Sequence, residues 1–209
     1  MSIANHVSAI VKRCKKQAVR SILAHRICAR HPTLNCDPTA IIDYAYDDLE
    51  NIKIGKGVSI LAFVELLVYR SSPYSSIPGE FSIGDNSVLG PGVNVRAAGG
   101  AITIGKGSGI AEYCVLVATD HDIRPGEMRI HSRWDERRTG VAIGDNVWIG
   151  ANSVLLPGTR IGDNSVIGAG SVVRGDVPAN EIWVGTPARR LRAIGESAAA
   201  SREKAESRS

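Results

Sequence analysis

An isoleucine or leucine recurs at every sixth position through residues 143–172, IGDNVWIGANSVLLPGTRIGDNSVIGAGSV. Four more hexads, IGKGVS at Ile54, IGDNSV at Ile83, LGPGVN at Leu89 and IGKGSG at Ile104, bring the total to nine. A period of six is neither the 2 of an ordinary strand nor the 3.6 of a helix. It suits a chain that turns a corner every six residues and points the same aliphatic inward from each short flat face. The fourth position is Gly or Asn in all nine: Gly57, Asn86, Gly92, Gly107, Asn146, Asn152, Gly158, Asn164 and Gly170. These residues enter the left-handed backbone region at least cost, which a tight corner requires. The fifth is always Val, Ser or Thr, small enough to sit beside the aliphatic in a narrow interior. Three faces close a coil of about 18 residues, and stacked coils lie about 4.8 Å apart, the spacing of paired strands. The pattern predicts an all-β protein, a parallel β-helix of triangular section.

Phase counting locates the interruptions. The interval from Ile54 to Ile83 exceeds one coil by 11 residues, with the surplus near SSPYSSIPGE; that from Ile83 to Ile104 exceeds it by 3, at AAGG. From Ile104 to Ile143 the excess is 21, predicting a long loop at about 122–142 that opens just after His121. Loops of this size on a regular scaffold carry function. Residues 1–35 place Val7, Val11, Cys14, Ala18 and Ile22 at helical spacing and predict a basic amphipathic helix. Two roles stay open for it: packing on an end of the β-helix or a neighbouring subunit, or resting on an anionic membrane surface. The β-helix is expected over 36–185, and 186–209 as a C-terminal segment with a short helical tail and a frayed end.

Composition narrows the class. Aromatics are only 5% of residues, so the core is built from aliphatics. Residues 1–36 carry seven Lys/Arg and no acid, although the whole chain has a net charge of only +4. Basicity confined to one segment, without an aromatic platform, argues against a nucleic-acid partner. The four cysteines form no CxxC pair, and reduced thiols are expected. Lys12, Arg13, Lys15 and Lys16 interrupt the N-terminus early, unlike a signal peptide, so a cytoplasmic location is expected, with membrane contact at the cytoplasmic face left open.

Of five histidines, His6, His25 and His31 lie in the N-terminal segment, leaving His121 and His131 for the solenoid and its loop. That is too few for a site of three imidazoles, and no metal is expected. His121, in VLVATDHD, stands where the repeat gives way to the long loop. Imidazole changes protonation near neutral pH and serves as a general base. Asp120 and Asp122 flank it, but neighbours in an extended chain point to opposite sides. One of them, or a backbone carbonyl, is left as the group that orients the ring.

The hexads resemble those of the hexapeptide-repeat acyltransferases. From Val141 to Arg192, through VGTPARRLR, the sequence is similar to the galactoside, maltose and polysaccharide O-acetyltransferase group. The resemblance implies a left-handed solenoid, a homotrimer with active sites between subunits, and acetyl-CoA as acyl donor. It makes the residue matched by His121 the general base and places Trp148 beside the site. The coenzyme contacts it implies are Ala151, Ala169, Arg174 and Gly175, then Arg189 and Arg192, whose guanidinium groups suit phosphate oxygens. The expected reaction is direct acetyl transfer to a hydroxyl of a sugar or surface polysaccharide precursor. Lys106 stands where the galactoside enzymes have an Asp, so their sugar contacts do not carry over. N-acetyl transfer to an amino-sugar nucleotide is the alternative chemistry. A non-catalytic β-helix scaffold would keep the hexads but gives no reason for TDHD, Trp148 and the terminal arginines to occur together.

Overall fold

The computed structural model describes residues 26–44, 49–126, 128 and 131–196. Their strands, numbered β1 to β20 in chain order, form three sheets. The first face holds β1 (Asn35–Cys36), β4 (Ser59–Ile60), β7 (Val88–Leu89), β10 (Gly109–Ile110), β13 (Trp148–Ile149), β16 (Val166–Ile167), β19 (Glu181–Gly185) and β20 (Ala188–Ala193). The second holds β2 (Ile41–Tyr44), β5 (Glu65–Tyr69), β8 (Asn94–Ala98), β11 (Val115–Val117), β14 (Val154–Leu155) and β17 (Val172–Val173). The third holds β3 (Ile52–Ile54), β6 (Glu80–Ile83), β9 (Ala101–Ile104), β12 (Val141–Ile143), β15 (Thr159–Ile161) and β18 (Asp176–Val177). Below β20 every pairing is parallel and joins strands three apart in sequence, so the chain visits the faces in turn and returns one coil higher. This is the predicted parallel β-helix.

The register stacks like on like: Ile54, Ile83, Ile104, Ile143, Ile161 and Val177 follow one another up the third face. All six are buried, and the interior is one continuous column of aliphatics. All nine predicted corner residues have positive φ, from 53° at Asn146 to 81° at Gly158. Three coils also contain hexads that Gly and Asn do not mark, starting at Cys36, Ile60 and Ile110. Their corner residues are Thr39, Phe63 and Tyr113, and the two aromatics adopt φ 59° and 58°. That conformation costs a side-chain-bearing residue roughly 1–2 kcal/mol.

Size is only part of what the fifth position requires. Ser87, Ser108 and Ser165 are buried, and their hydroxyls donate to Gly105 O at 2.7 Å, Gly144 O at 2.8 Å and Pro178 O at 2.8 Å. Each therefore ties its coil to the next while satisfying its own buried oxygen. The Asp of IGDN has a matching role on the outside. Asp85, Asp145 and Asp163 accept the backbone N–H of Lys56 at 2.8 Å, Lys106 at 2.7 Å and Asp145 at 2.8 Å, one coil earlier in each case.

Both ends are covered. Residues 26–30 are helical and Ile27 is fully buried on the first coil; of the rest of the expected N-terminal helix, residues 31–35 are turn and the start of β1 instead, and residues 1–25 lie outside the described residues. At the other end residues 188–193 form β20, antiparallel to β19. A helical tail was expected here; the described part, to residue 196, is strand and turn instead. The chain reverses after Gly185, and β20 gains backbone partners by covering the open edge of the last coil.

Every long interruption falls at one corner, between the second and third faces. β5 ends at Tyr69 and β6 begins at Glu80; β8 ends at Ala98 and β9 begins at Ala101; β11 ends at Val117 and β12 begins at Val141. The longest excursion therefore occupies 118–140, a little earlier than the expected 122–142. Its neck is closed by Gly140 N donating to Ala118 O at 2.7 Å, where the sheet ladder has stopped. His121 thus belongs to the excursion and not to the rigid strand before it.

Candidate active site

Three contacts position His121 within the excursion. It forms an antiparallel bridge with Trp134 on the returning chain, while Asp122 N donates to Arg133 O at 2.7 Å and Asp135 N to Asp120 O at 2.8 Å. The excursion is therefore a short two-stranded ladder with the exposed imidazole near its start. Ser132 Oγ, on a residue only 4% exposed, lies 3.4 Å from His121 Nδ1. The Asp122 carboxylate turns to Arg124 at 2.8 Å and Arg137 at 3.9 Å. Neither flanking aspartate is joined to the ring by a described hydrogen bond; the side chain described within reach of Nδ1 is a serine from across the ladder.

The excursion between β5 and β6 braces this ladder. Trp134 N donates to Tyr74 O at 2.9 Å, and the two rings have centroids 6.2 Å apart. Glu136 accepts from Ser75 Oγ at 2.9 Å and from Ser76 N at 2.6 Å and Oγ at 3.0 Å, and these bonds hold its carboxyl below the usual range. Beside it, hydrogen bonds from Arg137 hold Asp135 at about 2. The coil between the two excursions contributes space: Gly99 has φ +66°, and a methyl group there would meet Trp134 Cε3 at 2.5 Å. A cavity of about 550 Å³ opens beside the ladder, lined by Asp122, Arg124, Arg133, Trp134 and the 135–137 turn.

The residues expected at the coenzyme fall into three places. Trp148 lies on the outer side of the first face, 53% exposed, over Gly109, where a methyl group would meet its ring at 2.8 Å. Ala151 and Ala169 stack one coil apart at the corner between the first and second faces. Arg174 and Gly175 lie at the other edge of the second face, between β17 and β18, two coils above the strand that leads to His121. Arg189 and Arg192 project from β20; Arg189 bonds its neighbour's carbonyl at 2.9 Å and Arg192 the carbonyl of Glu196 at 2.9 Å. Within one chain, His121, Arg174 and Gly175 share one edge of the second face, and Trp148 and the alanines lie beyond the other. At about 3.3 Å per residue the face between them is on the order of 15 Å wide.

Comparison with known proteins identifies the scaffold. The family model described as bacterial transferase hexapeptide (six repeats) matches residues 140–175. Among solved structures, AntD, an N-acyltransferase from Bacillus cereus in complex with dTDP and 3-hydroxybutyryl-CoA, superposes with a TM-score of 0.62 at 21% identity, over 83% of this chain and 86% of that one; the likeness is of fold. A Schizosaccharomyces pombe protein named as an acetyltransferase is 35% identical over 156 aligned positions, in an alignment that covers 70% of this chain and 74% of that protein. The chain belongs to the hexapeptide-repeat acyltransferases. This acyltransferase is also 41% identical over 95 residues to galactoside O-acetyltransferase of Escherichia coli (strain K12), and spans about half that enzyme's length, 45%.

Several residues of the acyltransferase's corner were not singled out by sequence reasoning: Ser132, Trp134, Glu136, Ser75 and Ser76. Phase counting held one usable signal. The surpluses near SSPYSSIPGE, at AAGG and after His121 recur at whole-coil intervals, so all three must leave the same corner and stand beside one another.

Proposed function

We propose that the protein is an acetyl-CoA-dependent O-acetyltransferase that acetylates a hydroxyl of a sugar, as part of a surface polysaccharide or its precursor. The observation that carries this reading is the exposed imidazole of His121, at the one corner that gathers every excursion of the solenoid. His121 Nε2 takes the acceptor's O–H proton as that oxygen attacks the thioester carbonyl carbon. The carbon–sulfur bond then breaks, and the departing thiolate of coenzyme A recovers the proton from the imidazolium. Transfer is direct, within a ternary complex, and uses no metal.

The split of the coenzyme residues across the second face supports a site made by two chains, one offering the His121 edge and the next the edge beside Trp148. A homotrimer of left-handed solenoids meets that requirement. Arg189 and Arg192 then face the phosphates of coenzyme A. The reading places the enzyme in the cytoplasm, where acetyl-CoA is available.

The test is transfer from acetyl-CoA carrying a labelled acetyl group to a panel of sugars and amino sugars. The expected product is an ester, cleaved by mild alkali, and His121→Ala should lower turnover by roughly 10²- to 10⁴-fold with the fold retained. Label in an alkali-stable amide would replace O-transfer by N-transfer. Undiminished turnover in His121→Ala would remove the histidine from its role.

A further inference from the structure

We propose that Ser132 sets the tautomer of His121: its hydroxyl accepts the Nδ1–H and so leaves the lone pair on Nε2, facing the acceptor. This rests on the reading of His121 as the base. Four features of the excursion carry it. Ser132 Oγ is within 3.4 Å of Nδ1. The residue is 4% exposed, so the hydroxyl approaches the ring from the closed side. It directly precedes Arg133 and Trp134, which pair with Asp122 and His121 across the ladder, so the backbone register fixes where the hydroxyl stands. The carboxylate of the flanking Asp122 is engaged by Arg124 and Arg137.

A neutral imidazole carries one N–H, and whichever nitrogen meets the better acceptor keeps it. A hydroxyl can accept that proton and still donate its own elsewhere. Burial also rules out the other role open to a serine beside a histidine. A nucleophile must reach the thioester carbon, and an oxygen enclosed behind the imidazole does not. Ser132 is thus a positioning residue. Being uncharged, it orders the ring without adding a fifth acidic side chain to a corner already holding Asp120, Asp122, Asp135 and Glu136.

The test is long-range proton–nitrogen correlation NMR on protein labelled with ¹⁵N-histidine, with the His121 signals assigned by their loss in His121→Ala. The wild-type protein should show the Nδ1–H tautomer, Ser132→Ala should move toward the Nε2–H form that an unconstrained histidine side chain favours, and Ser132→Thr should keep the wild-type pattern. A wild-type His121 in the Nε2–H form overturns the proposal by itself, whether or not the alanine variant folds. So does a folded Ser132→Ala whose His121 signals are unchanged. With an acceptor found in the transfer assay, Ser132→Ala should lower kcat about tenfold, the size of one hydrogen bond, and leave the KM for acetyl-CoA alone. The spectrum needs no turnover, so a failure of the acetyltransferase reading remains distinct from a failure of this one.

Discussion

A methyl group added at Gly99 meets two separate obstacles. The backbone there has φ +66°, which costs alanine roughly 1–2 kcal/mol. The new Cβ would also lie 2.5 Å from Trp134 Cε3 and 2.9 Å from Thr119 Cγ2, and overpacking of this kind costs roughly 1–3 kcal/mol more. Gly107→Ala is the matched control. Its φ is +61° with nothing within 4 Å of the added carbon, so it should lose only the conformational part. Urea unfolding followed by circular dichroism should therefore rank Gly99→Ala below Gly107→Ala by roughly 1–3 kcal/mol. Turnover should separate them further, because an indole displaced from Gly99 takes with it the backbone bridge to His121. In a Trp134→Ala background the collision with the indole is gone and only the Thr119 methyl contact remains, so the Gly99→Ala loss should shrink toward that of the control without reaching it. Equal losses at Gly99 and Gly107, or a Gly99 loss undiminished without the indole, would refute the account of this contact.

Three further outcomes are expected. Asp145→Ala should lower the unfolding free energy by about 1 kcal/mol through the lost acceptor for Lys106 N, measured by urea titration. Glu136→Gln should speed hydrogen exchange at the amides of Asp122 and Asp135 without changing it in the upper coils. Because the Ser75 and Ser76 donors hold the Glu136 carboxyl below its ordinary value, the clamp is complete above about pH 4.3 and is lost as pH falls through the lowered value; the same amides should lose protection in acid. Trp148→Ala should raise the KM for acetyl-CoA about tenfold with kcat little changed, as read from initial rates.

The periodic part of the molecule was readable from the chain because each coil repeats one local requirement. Nine corners carry Gly or Asn and all nine take positive φ. The hexads at Ile60 and Ile110 escaped notice because Phe63 and Tyr113 occupy the same conformation at a steric cost, and the residue types alone point away from it. A long excursion next to His121 was equally visible, and phase arithmetic supplied its length, but not that His121 lies inside it. What the ring meets there was not visible. Ser132 reaches the ring, and Ser76 reaches Glu136, through contacts between irregular segments, which no period encodes. β20 was missed for a related reason: its partners are the exposed edge of the last coil, a property of the assembled stack and not of ARRLRA itself.

The corner that collects the excursions also separates two kinds of inheritance. On either side of 118–140 the ladder resumes in step, Val141 pairing with Ile102 just as Val115 pairs with Asn94. A segment inserted or deleted there changes no stacked aliphatic and no coil above it. Loops at this corner can therefore lengthen, shorten or be exchanged, together where they brace one another as Glu136 does Ser75 and Ser76, while the column of stacked aliphatics beneath keeps its register.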